Sequence, residues 1–342
     1  MMRFGPLALL APLYLLSACG QAPQLEQSNR YQLESTAFGQ SLHIETWSTQ
    51  ADIAQQAMQV AVDDLHYIAE ISHPWRPGAL ERTNVLLAMQ GEFSANPSGL
   101  PLIDLATALY RQSDGHFNPA MGQLQRLWGF HQDAIDLAQP ADAEAIDAVL
   151  NARPGMDAIR VQGIRIAASN AQLRLDYGHF ARGHGLNIAR QRLQEAGLSQ
   201  ARLQTPNAWV LLGKPEAAVA LSHYGGLPLL LEADESVYTL SIDDRYYRAD
   251  GQQIHPFISP FDGQPVQGIR HLSVIHPSAA SAAGLAQALL IAGLDALPAL
   301  ANQMGVVDYL LEDQSGQRYA SAAMLARLPA ERGILRLTEA GE

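Results

Sequence analysis

The sequence has a single lysine, Lys214, and a single cysteine, Cys19, in 342 residues. One cysteine rules out any internal disulfide, even in an oxidising compartment. Basic residues are short overall: 22 Lys and Arg face 34 Asp and Glu, leaving a formal charge of −12. That balance excludes the basic face nucleic acid requires, and it excludes an electrostatic grip on anionic lipid. Internal repeats, low-complexity tracts and linker-like composition are missing after Ser28, so one continuous domain is expected over 29–342. The longest apolar run near the N-terminus, Phe4 to Leu16, is too short to cross a bilayer.

That short run has another use. Arg3 supplies a minimal basic n-region, and Leu16-Ser17-Ala18-Cys19 places small residues before a cysteine, as a lipoprotein signal peptidase requires. Residues 1–18 then read as a signal peptide and Cys19 as the lipidated residue. Residues 19–28 form a polar tether, and the expected location is a membrane-anchored lipoprotein facing the periplasm.

What is present beyond this is patterned. Tyr31–Phe38 and Ser41–Trp47 alternate around Gly39-Gln40, which predicts a hairpin. Ala51 to Ser72 predicts a helix with Ile53, Ala57, Val60, Ala61, Leu65 and Ile68 on one face. Further helices are expected over 79–89, 101–111 and 142–150, one running into Leu127, and another over 278–292. Strands are expected at 159–161, 164–166, 201–204, 209–212, 227–231, 237–242, 246–249, 272–275, 306–312 and 318–325. Blocks of helix and strand without strict alternation give an α+β fold with largely antiparallel sheets.

The stretch from Arg174 to Leu193 stands out. Alternating Leu173, Leu175 and Tyr177 predict a short strand, Gly178, Gly183 and Gly185 a tight turn, and Leu186, Ala189 and Leu193 an amphipathic helix stopped by Gly197. Strand, glycine turn and helix start bring backbone N–H groups onto an anion. Asp176 adds an acid there and Arg182 a base. The spacing is neither a P-loop, since His184 stands where its lysine belongs, nor G-x-G-x-x-G.

Taken in order, these segments resemble the ApbE family, the FAD:protein FMN transferases. The resemblance rests on Ser72, Trp75-Arg76-Pro77 and Asn84; on Ser113-Asp114-Gly115-His116-Phe117-Asn118-Pro119 through Leu127-Trp128-Gly129-Phe130; on Asp176-Tyr177-Gly178-His179-Phe180-Ala181-Arg182-Gly183; and on Phe257-Ile258-Ser259-Pro260-Phe261-Asp262-Gly263-Gln264-Pro265, with His255 near the family's histidine. It implies FAD as substrate, an FMN-accepting Ser or Thr on a target protein such as a subunit of a redox membrane complex, and AMP as product. Trp75 is then the ring that stacks on the isoalloxazine. Phe38, His116, Phe117, Asn118, Asp176, Phe257 and Ile258 are further cofactor contacts, and Arg182 replaces a lysine near the pyrophosphate. Trp128 and Phe130 read as core, and His255 or Asp262 as a group that assists deprotonation.

The resemblance also implies Mg²⁺, and here the sequence departs from the pattern. The family's Asp and Thr, four residues apart on one helix, correspond to Ala283 and Gln287. His179 occupies the third metal position, where only its backbone carbonyl can serve. The family's G-G-D element is replaced by Thr205-Pro206-Asn207-Ala208. Two readings follow: a transferase with a depleted metal site, or a flavin-binding accessory lipoprotein without chemistry.

Overall fold

The computed structural model describes residues 28–132, 141–214, 218–328 and 333–337. Cys19 and its lipobox lie outside the described residues. Alternation in the first segment forms β1 (Asn29–Ala37) and β2 (Gln40–Ser48), paired antiparallel. Phe38 and Gly39 make the two-residue turn with φ of 52° and 73°. Left-handed backbone at both positions matches the twist of the flanking strands, and Phe38 adopts it despite its Cβ.

α1 (Ala51–Ile71) buries Ala54, Ala57, Met58, Ala61, Val62, Leu65 and Ile68 at helical spacing. Ile53 and Val60, expected on that face, are exposed instead; the buried stripe passes through their neighbours Ala54 and Ala61. The chain continues with α2 (Ala79–Ala88), β3 (Phe93–Ser94), α3 (Leu100–Gln112), α4 (Gly122–Leu127), α5 (Ala143–Ala152), β4 (Ile159–Gln162) and β5 (Arg165–Ala168). α6 (His179–Glu195), β6 (Ala201–Gln204), β7 (Ala208–Leu212), β8 (Val219–Leu221), β9 (Leu227–Leu229) and β10 (Ser236–Ser241) follow. The last elements are β11 (Tyr247–Ala249), β12 (Gln252–Ile254), β13 (Ile269–His276), α7 (Ala279–Gln303), β14 (Tyr309–Asp313), β15 (Arg318–Ala320), α8 (Ala322–Arg327) and β16 (Ile334–Arg336).

The fold is α+β. Its main sheet has the order β1-β2-β6-β7-β10-β13-β14-β15-β16, antiparallel except for β15 with β16. α6 packs against both α1 and α7, and all three helices lie on this sheet. On its opposite face Val237 and Ile275 join a second apolar cluster with Val219, Leu227 and Met324. A third cluster, around Leu124, Trp128, Phe130 and Ile146, closes the end that carries β11 and β12.

Four expectations are corrected. Residues 173–177 are extended but form no ladder strand; only Arg174 bridges, to Met121. The helix starts at His179, so Gly183 and Gly185 lie inside α6 rather than in a turn. A Cβ on Gly183 would stand 2.4 Å from the Ala279 carbonyl oxygen, and one on Gly185 would stand 3.0 Å from Phe38 and Leu65. These glycines serve close packing. The third correction is the C-terminal strand expected to Leu325, which ends at Ala320 and gives way to α8, begun by Ser321 accepting from the Met324 N–H. α7 also runs past the expected Ala292, through a kink at Gly293 with φ 75°.

Glu45 on β2, 1% exposed, ties three strands together by accepting from Arg30, Gln32 and Arg202. Burial works to raise its pKa, but the hydrogen bonds from Arg202, Arg30 and Gln32 outweigh it and bring the carboxyl down to about 2. A depressed native pKa gives stability that is complete above the unfolded value and is lost as pH falls toward about 2. Stability measured by urea unfolding is therefore expected to decline below the ordinary glutamate range, and Glu45→Gln is expected to flatten that decline while lowering stability at neutral pH. An unchanged acid limb in the variant would show that Glu45 is not its source.

Candidate functional site

The segment before α6 is held from both sides by motifs distant in sequence. Asn84 on α2 donates its amide N–H to the Leu175 carbonyl at 2.9 Å and accepts the Leu175 N–H at 2.7 Å, as a neighbouring strand would. On the other side Arg174 N–H donates to Ala120 O, Asp176 N–H to Pro119 O and Gly122 N–H to Arg174 O, at 2.8–3.1 Å. Asn118 braces that loop, donating to Pro154 O and accepting from Ala120 N–H. The donor half of this pairing requires an amide where an aspartate would offer only acceptors.

Asp176 thereby reaches the floor of a cleft of about 580 Å³. Its Oδ2 accepts the Trp75 indole N–H at 3.0 Å, and its Oδ1 accepts the Gly178 N–H at 3.1 Å. Burial pushes the Asp176 carboxyl up, against the opposing pull of these two bonds. The Arg174 guanidinium lies 4.1 Å from the Trp75 ring centroid, donates to Pro74 O at 2.8 Å and faces Glu81 at 3.8 Å. One face of the indole is thus already occupied. His131 meets its edge at 5.7 Å, and His131 Nδ1 is buried without a hydrogen-bond partner among the described residues.

Of the residues singled out from sequence, Phe38, Trp75, Asp176 and Arg182 line this one cleft. His116, Asn118, Ile258 and Gln287 line a small polar cavity of about 30 Å³, which shares Asp176 with the cleft. Phe117 is fully buried, its ring 5.2 Å from that of Phe180, and serves the core. Phe257 is buried as well, stacked 5.8 Å from His179. Trp128 is core as expected, while Phe130, equally buried, also borders the cleft. His255 is fully buried, with Nε2 bonded to Val266 O and Nδ1 accepting the Phe257 N–H; burial lowers its pKa to about 4. Asp262 accepts the Gln264 N–H within its own turn. Neither His255 nor Asp262 lines the cleft or the small cavity.

The three metal positions do not fit Mg²⁺. Ala283 is fully buried and offers a methyl group, and Gln287 offers a neutral amide. The His179 ring hydrogen-bonds Tyr238 at 3.1 Å, and burial, reinforced by Arg182, holds it neutral. No group of three or more His, Cys, Asp or Glu suited to a metal occurs among the described residues. Mg²⁺ favours charged hard oxygen in near-octahedral array; Asp176 lines the small cavity with Gln287, and Asp244 faces His179.

Sequence reasoning passed over Arg174, His131 and Arg245. Arg245, in the loop between β10 and β11, lines the cleft, donates to Gln132 O and lies 5.6 Å over the Phe130 ring. Nothing in its neighbourhood forms a motif. Arg174 sat inside the glycine-rich stretch, next to a cluster of recognisable residues, and only the fold shows that it backs Trp75.

Residues 38–311 match the family described as the ApbE family. The chain belongs to the ApbE family. It is 30% identical over 303 residues to the FAD:protein FMN transferase of Rhodobacter capsulatus, covering 86% of this chain and 58% of that protein. It therefore spans somewhat more than half the length of that relative. With the FAD:protein FMN transferase of Vibrio cholerae it shares 22% identity over 334 residues, 93% of this chain and 97% of the other. The fold matches the crystal structure of an ApbE protein from Thermotoga maritima with a TM-score of 0.79 at 21% identity, covering 88% of this chain and all of that one. It also matches the apo form of the Pseudomonas stutzeri flavinyl transferase ApbE, with a TM-score of 0.76 at 21% identity and 90% and 99% coverage.

The double hydrogen bond from Asn84 to Leu175 carries the position of Asp176. Asn84→Ala is expected to leave a buried peptide N–H and C=O unpaired and to cost about 2–6 kcal/mol in denaturant unfolding, at roughly 1–3 kcal/mol for each group. A loss below about 0.5 kcal/mol, the level of an ordinary surface change, would show that water replaces the amide.

Proposed function

We propose that this ApbE-family chain is an FAD:protein FMN transferase. The observation that carries the reading is the meeting of Phe38, Trp75, Asp176 and Arg182 in a single cleft. The Trp75 indole is fixed by Asp176 and backed by Arg174, so it is held ready for a flat ring. The Arg182 guanidinium offers a planar fork for phosphate oxygens.

In the reaction proposed, the hydroxyl oxygen of a Ser or Thr on an acceptor protein attacks the FMN-side phosphorus of FAD. A phosphoester bond forms, the bridging P–O bond breaks, and AMP leaves with the pair of electrons. The hydroxyl proton passes to solvent or to the departing phosphate. His255 is not suited to take it, since both ring nitrogens are engaged in its own loop. The chain's residues supply positioning and positive charge around the diphosphate. No step is assigned to Mg²⁺, because the residues present do not fit it. A reading as a flavin-binding accessory protein draws on the same observation about Ala283 and Gln287.

We further propose that Cys19 carries a lipid that anchors the protein to a membrane on the periplasmic side, which would place the acceptor in or near that membrane. The lipobox Leu16 to Cys19 supports this reading.

Incubation with FAD and an acceptor protein is expected to yield covalently bound flavin on the acceptor, read as in-gel fluorescence with release of AMP. Trp75→Ala is expected to weaken FAD binding by about 1–3 kcal/mol, the range for one lost stacking partner. FAD bound with no transfer to any hydroxyl-bearing acceptor would favour the accessory reading; unchanged affinity in a folded Trp75→Ala protein would remove Trp75 from the site. Separately, Cys19→Ser is expected to abolish palmitate labelling and release the protein from membranes. A variant that stayed labelled and membrane-bound would refute the anchor.

A further inference from the structure

The transfer proposed above releases a proton, and the histidines around the site differ in their capacity to take it. A neutral imidazole is a base only at the ring nitrogen without a hydrogen, and the partner of the other nitrogen decides which one that is. His255 has both nitrogens engaged in its own loop. His73, which lines the cleft, accepts the Trp75 and Arg76 N–H groups at Nδ1, at 3.2 and 3.1 Å. Its lone pair thus serves that turn. His131 Nδ1 is buried. His179 is bonded to the Tyr238 hydroxyl and stacked on Phe257.

His116 is different. Left-handed backbone at Asp114 and Gly115, with φ of 48° and 81°, turns the chain back after α3. The His116 N–H and the ring Nδ1 then both reach the Ser113 carbonyl oxygen, at 3.0 and 2.8 Å. A carbonyl oxygen only accepts, so Nδ1 carries the hydrogen and Nε2 the lone pair. Ser113 is itself fully buried, and its hydroxyl accepts the Phe117 N–H at 3.0 Å. The Phe261 ring meets the imidazole edge-on at 4.8 Å. No hydrogen bond engages Nε2 among the described residues. The imidazole lines the small polar cavity together with Asn118, Gln287 and Asp176. At about 30 Å³ this cavity admits one or two water-sized groups, the scale of a hydroxyl and its carbon. It shares Asp176 with the cleft, so a hydroxyl entering the cavity adjoins the space that takes the diphosphate.

We infer that His116 is the general base of the transfer, its Nε2 taking the proton of the acceptor Ser or Thr hydroxyl as that oxygen attacks. The inference rests on the transferase reading above and adds the group that makes the first proton transfer. The hydroxyl O–H bond breaks and the bond from its oxygen to the FMN-side phosphorus forms. The bridging P–O bond breaks, and its electron pair leaves on AMP. The imidazolium then passes the proton on to solvent or to the departing phosphate, the final recipients.

The test uses the full chain in detergent, FAD as donor and, as acceptor, a hydroxyl-bearing protein that the native chain labels in-gel. His116→Gln and His116→Ala are each expected to lower kcat for transfer by about 10²- to 10⁴-fold, the range for losing a positioned general base. FAD affinity by calorimetry is expected to stay within about twofold of native, well below one decade of Kd. Added imidazole is expected to restore part of the transfer to His116→Ala, where it can enter the vacated space, and none to His116→Gln, where the amide fills it. A kcat loss in His116→Ala that imidazole leaves unchanged would overturn the assignment as base. Native turnover in both variants, or a loss of FAD affinity equal to the loss of transfer, would overturn it as well, with the transferase reading intact. FAD bound by the native chain with no transfer to any hydroxyl-bearing protein would instead remove that reading, and the inference with it.

Discussion

The cleft depends on an approach that only glycine permits. A Cβ at Gly183 would sit 2.4 Å from the Ala279 carbonyl oxygen, so α6 meets the start of α7 at backbone distance. The contact is reinforced by Asn187, which accepts the Ala279 N–H at 2.8 Å and donates to the Ser278 hydroxyl at 2.8 Å. In effect α6 caps α7. Gly185 does the same on another side of α6, receiving the Phe38 ring from the first hairpin turn. With α6 seated in this way, Arg182 points into the cleft and Phe38 closes its edge. A side chain at either glycine would push α6 away, with overpacking costs of about 1–3 kcal/mol, and would shift Arg182 with it.

Much of this was legible in the chain. The first hairpin, α1, β6 and the start of α7 fall where periodicity places them, because each buries one face against a continuous core. The glycines of the central stretch were legible as special but not for the right reason. Composition cannot distinguish a glycine that turns the chain from one that admits a neighbouring helix, since both require only the missing Cβ. The short extended segment through Leu175 imitates a strand because Asn84 supplies strand-like hydrogen bonds from a helix. Its alternation is genuine, and only the partner is unusual.

The site residues divide along a similar line. Trp75, Asp176 and Arg182 were legible since each belongs to a motif and ends in the cleft, as does Phe38 from the first hairpin turn. Phe117 and Phe257 belong to motifs too, yet their rings turn inward against Phe180 and His179. A motif fixes the backbone path near a ligand, and neighbouring side chains alternate between ligand and core. Arg245 illustrates the reverse case. Its place in the cleft comes from the Phe130 ring and the Gln132 carbonyl, more than a hundred residues away in sequence, and no local pattern announces such a contact.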